Sequence, residues 1–160
     1  MRDITSMKVY VILHNIRSAH NVGSVFRSAD GAGVAKIFLT GYTPAPTDRF
    51  GRERAEIQKT SLGATHTVPY EVQPEIEDVL KTLTEAGVQI IAVEQTPQSI
   101  DYRSCTPAGD VAFVFGNEIT GVEKEVLKMV DTHIEIPMAG MKESLNVSVC
   151  AGVILFHFAE

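Results

Sequence analysis

The chain ends in GMKESLNVSVCAGVILFHFAE, residues 140–160, and the reading of this stretch decides the fold. Residues 142–144 are polar. From Leu145 to Phe158 the run holds one Asn, one Ser and one His, and the rest is apolar or glycine. A helix apolar on nearly every side must be covered on nearly every side. The run is shorter than the ~18 apolar residues of a membrane span. It predicts a buried terminal helix, capped by the Ser144 hydroxyl, with polar Asn146 in its first turn.

The totals agree with a globular chain. A length of 160 residues suits a single domain over 1–160. The net charge of -6 argues against gripping a polyanion through the field of the whole molecule, yet allows a local basic patch. Cys105 and Cys150 are too few for a disulfide framework. The first residues, MRDITSMKVYVIL, lack a signal-peptide pattern. Together these predict a cytoplasmic protein with reduced thiols.

Working back along the chain, apolar β-rich runs alternate with helical patterns. Strands are predicted at 9–13, 36–39, 65–68, 88–93, 111–115 and 133–136. Helices are predicted within 15–33 and at 52–62, 74–86 and 121–130, with loops at 42–51 and 95–109. The strands at 88–93 and 111–115 are apolar on both faces. That predicts an α/β fold, a mainly parallel sheet with helices on both faces. Ligands in such sheets bind beyond the carboxyl ends of the strands.

Three segments at those ends carry polar residues that suit chemistry. In the first, Gly23 and Arg27, four apart, share a helix face, so Arg27 can lean over bare Gly23 toward Asn21 and the helix start and favour phosphate or ribose. An Asn cap and a surface Arg are the plainer alternative. In the second, Gly116-Asn117-Glu118 places a carboxylate directly after an apolar strand. A turn glycine and a helix-terminal Glu would explain it equally. The third is Ser144 and Asn146. Neither GxGxxG after the first strand nor GxxxxGK[ST] is present. The five histidines show no metal-ligand spacing, so no metal is expected. Arg49, Arg52, Arg54 and Lys59 form a basic patch, the best place for a polyanion to touch.

Taken together, NIRSAHNVGSVFRSADGAGV (15–34), FVFGNEITGV (113–122) and IPMAGMKESLNVSVCAGVILF (136–156) resemble the three motifs of the SpoU (TrmH) family of the SPOUT superfamily of RNA methyltransferases. KTSLGA at 59–64 is also similar to the family, and the resemblance spans nearly the whole chain. It implies transfer of a methyl group from S-adenosyl-L-methionine to a ribose 2′-OH in RNA. It further implies a C-terminal trefoil knot and a homodimer with each active site at the subunit interface. By motif position it implies Gly116, Ile136 and Leu145 around the methyl donor, with Gly41, Glu94 and Met138 beside them. It implies Asn21, Arg27, Glu118, Ser144 and Asn146 as the catalytic set, in which Arg27 anchors phosphate and Glu118 organises Arg27 or the RNA. Many members carry an added RNA-binding domain. Strand one begins here at Val9, so RNA selection is expected from 42–60, the dimer cleft or a partner, and tRNA is favoured over rRNA. A catalytically silent RNA-binding or adaptor protein of the same fold is the main alternative. A small-molecule nucleotide enzyme of ordinary doubly wound fold is the third.

Overall fold

The computed structural model describes residues 6–159. Among these residues seven strands form one sheet, all pairs parallel. In chain order they are β1 (Val9–His14), β2 (Lys36–Thr40), β3 (Tyr70–Val72), β4 (Gln89–Val93), β5 (Ile100–Asp101), β6 (Val111–Phe115) and β7 (Thr132–Glu135). Their order across the sheet is β3-β2-β1-β6-β4-β7-β5. The helices are α1 (Ala19–Ala32), α2 (Ala55–Ser61), α3 (Ile76–Glu85), α4 (Lys124–Leu127) and α5 (Val147–Phe158).

Period-two alternation builds two apolar layers from one set of strands. Val11, Leu13, Ile37, Leu39, Ile91, Phe113 and Phe115 face α1 and α5, which supply Val22, Val25, Phe26, Ile154, Leu155 and Phe158. Ile12, Phe38, Ile90, Ala112 and Val114 face the other way, against Ile76, Val79, Leu80 and Leu83 of α3 and Val126 of α4. Every residue of β6 is buried. The predicted α/β architecture, helices on both faces of a parallel sheet, is what the chain forms.

Four local expectations need correction. The strand expected at 65–68 is a 3-10 turn at Ala64–His66, closed by Val68 N–H donating to Ala64 O at 2.9 Å. Pairing resumes only after Pro69, whose carbonyl accepts from Ile37 N–H, so β-favouring Thr65 and Thr67 are overridden. The helix expected from 52 starts at Ala55, because Thr47 and Glu53 pair as an antiparallel bridge. The helix expected from 121 shrinks to α4, because Asn117 and Gly121 close a turn of their own. Two-residue β5, inside an expected loop, is too short for periodicity to reveal.

The terminal helix is also revised. Its cap is Asn146, whose Oδ1 accepts from Ser148 N–H at 2.9 Å and Val149 N–H at 3.4 Å. Ser144 lies two residues outside it. Burying Ile154, Leu155 and Phe158 contributes about 1.5–3 kcal/mol each. The single chain covers one side only. Val149, Val153 and Phe156, at i, i+4 and i+7, remain 52%, 36% and 57% exposed. No helix among the described residues is long and apolar enough to cross a membrane.

Candidate active site

A cleft opens at the carboxyl ends of β4, β6 and β7, where the strand order places three chain segments side by side. Glu94, Gly116, Ile136, Met138 and Leu145, five of the six residues expected around a cofactor, line it together with Glu118 and Ser144. Gly41 does not. It follows β2, two strands from β6 on the side away from the cleft. Its left-handed φ of 60° and the Asn15 Oδ1 that would lie 1.8 Å from any Cβ there explain the glycine without a ligand.

The lining has one sign of charge. Glu94, Glu118 and Glu135 face the cleft, and among the described residues no Lys or Arg does. Phe115, Ile136, Leu145 and Val147 add apolar walls. From Met138 to Leu145 no backbone N–H donates to any described residue, which leaves these donors to water or a ligand. Glu94 is held rather than loose: its carboxylate accepts from Val122 N–H and Gln95 N–H, both at 2.9 Å. Cys150 closes the inner end, where burial, reinforced by the charge of Glu94, pushes its thiol up to about 12.

Glu118 joins this cleft to α1. Its carboxylate accepts from Arg17 N–H and Ser18 N–H, both at 2.8 Å, and from Asn21 Nδ2 at 3.2 Å. Burial alone would raise its pKa. The N–H groups of Arg17 and Ser18, with Asn21, outweigh that and hold the carboxyl below its ordinary value. Asn21 Oδ1 in turn accepts from Asn146 Nδ2 at 3.3 Å, and Asn146 Oδ1 accepts from Ser148 Oγ at 2.6 Å. One hydrogen-bonded line thus runs from β6 through α1 to α5. Asn21 itself is not the α1 cap. That is Ser18, whose Oγ accepts from Asn21 N–H.

Arg27 lies elsewhere than the spacing suggested. Gly23 is bare because α2 crosses it: a Cβ there would meet Thr60 Oγ1 at 2.0 Å and Ile57 O at 2.6 Å. Arg27 instead lines a second, shallow depression with Lys59, Ser24, Thr60, Ser148 and Val149. It makes no bond to Glu118 and pairs with no acid among the described residues. The first turn of α5 separates two surfaces. Val147 and Cys150 face the acidic cleft, while Ser148 and Val149 face the basic depression. Arg49, Arg52 and Arg54 sit farther along, before α2, and Asp48 neutralises Arg52 through a 3.0 Å ion pair.

A family model described as "SpoU rRNA Methylase family" matches residues 8–156. The chain belongs to the SpoU rRNA methylase family. Among curated SpoU relatives, a 23S rRNA (guanosine-2'-O-)-methyltransferase of Neisseria meningitidis is 33% identical over 97% of this chain and 59% of its own length. A tRNA (guanosine(18)-2'-O)-methyltransferase of Thermus thermophilus is 34% identical over 92% of this chain and 72% of its own. An AdoMet-bound rRNA methyltransferase from Sinorhizobium meliloti superposes with a TM-score of 0.86 at 29% identity, over 96% of this chain and 57% of that one. The chain therefore spans less than two thirds of the rRNA relative and of this structure.

Sequence reasoning passed over Ser148, which extends the polar line and lines the basic depression. Its position two residues past Asn146 on the same helix turn was the available signal. It also passed over a polar brace behind the site. Asn117 Nδ2 donates to Asn15 O at 3.0 Å and to Tyr42 Oη at 2.9 Å, while Asn15 Nδ2 donates to Glu123 at 2.6 Å. Asn15 has a left-handed φ of 57°, a geometry that Asn tolerates, and no local pattern announces it.

Proposed function

We propose that this chain is a single methyltransferase domain that moves a methyl group from S-adenosyl-L-methionine to a ribose 2′-OH in RNA, acting in the cytoplasm as a homodimer. One observation carries the reading: an acidic, partly apolar cleft and a basic depression meet at the first turn of α5, beside the Glu118–Asn21–Asn146 line. S-Adenosylmethionine carries a sulfonium and an ammonium, and a lining with three glutamates and, among the described residues, no Lys or Arg suits such a ligand. The same lining disfavours a nucleoside polyphosphate, and so the ordinary nucleotide-enzyme reading. The N–H groups of Met138, Ser144 and Leu145, which donate to no described residue, suit its polar edges, and the Ile136 and Leu145 side chains its apolar face. When bound, the cofactor supplies the electrophilic methyl.

Arg27 and Lys59 hold an RNA phosphate in the depression, Arg27 through its planar guanidinium. That sets the adjoining ribose against Asn146 and Ser144 at the mouth of the cleft. The contribution of the polar line is positioning. Glu118 accepts three N–H groups and makes no bond to Arg27, so of the two expected roles, organising Arg27 or the RNA, its contacts favour neither directly and instead fix Asn21 and α1. A guanidinium is a poor proton acceptor, so the place of Arg27 is on the phosphate.

The exposed stripe of Val149, Val153 and Phe156 supports a second copy packed against α5. The trefoil knot is supported by the path of residues 94–110. β5 pairs on the far side of β7 from β4 and β6, so this segment crosses the end of β7 and returns. It touches the terminal segment where Gln95 Nε2 donates to Glu143 O at 2.6 Å and where the Tyr102 and His157 rings meet at 4.9 Å. Similar relatives are named for both 23S rRNA and tRNA, so both pools belong in the test. Labelled S-adenosylmethionine is incubated with the chain and each RNA pool, and the RNA is digested to nucleosides. The expected product is a 2′-O-methylated nucleoside. Cofactor binding with no transfer to either pool would instead support a silent RNA-binding protein.

A further inference from the structure

Phe50 is a large apolar ring left 66% exposed at the tip of the loop before α2. The loop is built rather than slack. Asp48 Oδ1 accepts from Phe50 N–H at 2.8 Å and Arg52 N–H at 3.0 Å. Asp48 N–H donates to Arg52 O at 2.8 Å, and Thr47 bridges Glu53. Gly51 takes the left-handed φ of 78° that closes the turn. The construction holds Phe50 outward instead of folding it onto the core.

Two guanidinium groups accompany the ring. The Arg49 Cζ lies 4.7 Å and the Arg52 Cζ 5.0 Å from its centroid. A simple polyanion grip would want free charge here. Yet Arg49, Arg52 and Arg54 are offset by Asp48 and Glu53 within the same loop, and Arg52 is paired with Asp48. The net field is weak, and the tip offers an exposed aromatic ring with planar guanidinium groups over it, all of them surfaces on which a base can stack. That chemistry suits the π-face of a nucleobase more than a phosphate. A base inside a duplex is already stacked, so only an unpaired one fits.

We propose that Phe50, flanked by Arg49 and Arg52, is a stacking platform for an unpaired RNA base. It rests on the RNA-methylation reading above, and extends the footprint from Lys59 along α2 to the loop tip. Arg54 and Lys59 are separated by about 7.5 Å of helix rise, so loop tip and basic depression lie within a few nucleotides of each other.

The chain contains no tryptophan, so Phe50→Trp introduces a single reporter at the tip. Its fluorescence is titrated with unfractionated tRNA and with a fully paired RNA duplex of similar length. Quenching by tRNA and little by the duplex is expected. In filter binding, Phe50→Ala should weaken tRNA affinity by about five- to hundredfold, with Phe50→Tyr restoring most of it. Wild-type chain that binds tRNA while the indole is unquenched and Phe50→Ala binds equally well would overturn the platform alone. Equal quenching by duplex would assign the tip to backbone contact instead. Wild-type chain that binds no RNA would overturn the methylation reading with it.

Discussion

Replacing Gly116 with alanine tests whether the turn after β6 is the rigid floor of the cleft. A Cβ at Gly116 would lie 2.4 Å from Gly121 C, 2.5 Å from Gly121 O and 2.5 Å from Val122 N. All three are backbone atoms, so no side-chain rotation relieves the overlap. The turn must open, against the Asn117 N–H to Gly121 O bond at 3.1 Å and the reverse bond at 2.9 Å. Overpacking costs about 1–3 kcal/mol, and loss of the bridge about 1 kcal/mol more, for a total of about 2–4 kcal/mol. In a chain of this size that lowers the thermal midpoint by about 5–15 °C in calorimetry. The displaced turn also carries Glu118, and Val122 N–H binds Glu94, so S-adenosylmethionine affinity in titration calorimetry should fall with stability. Gly109→Ala is the control, since nothing lies within 4 Å of a Cβ there. An unchanged midpoint together with unchanged affinity in Gly116→Ala would show that this turn is not a rigid floor of the cleft.

Three further outcomes are expected. Arg27→Ala should raise the RNA concentration needed for half-maximal methylation by about ten- to hundredfold, the loss of a charged hydrogen bond, while leaving S-adenosylmethionine affinity unchanged by calorimetry; equal loss of cofactor affinity would move Arg27 into the cleft. Because the folded Glu118 pKa lies below its ordinary value of 4.5, its contribution to stability is full above that pH and fades as pH falls through the folded value. The difference in thermal midpoint between wild type and Glu118→Gln should therefore shrink on acidification below about 4.5, and a difference that grows would reverse the assignment. Val153→Glu places a charge in the exposed α5 stripe and should convert a dimer to monomer in sedimentation, whereas a dimer that persists would put the subunit contact elsewhere.

The architecture was legible because burial wrote it in two periods. The double-sided apolar runs of β4 and β6 mark a parallel sheet, and the stripe of Ile76, Val79, Leu80 and Leu83 marks α3. The polar exceptions were also legible: Asn21, Glu118 and Asn146 meet at one point. Their partnerships were not. Gly23 read as room for Arg27, whereas the space is filled by α2, a non-local contact that helical spacing cannot encode. Ser144 and Asn146 are both competent caps, and the choice fell to Asn146, which also reaches α1. The loop at 47–53 showed its charges in the sequence, but the outward Phe50 depends on the Asp48 turn, which is visible only once folded.

Methylation of a ribose 2′-OH in RNA is read out by mapping 2′-O-methyl sites in tRNA and rRNA from cells with and without this protein. At least one site is expected to disappear without it, to return in full with the wild-type chain and to return only in part with Arg27→Ala. An identical map in both cells, from a chain that is expressed and folded, would contradict that expectation.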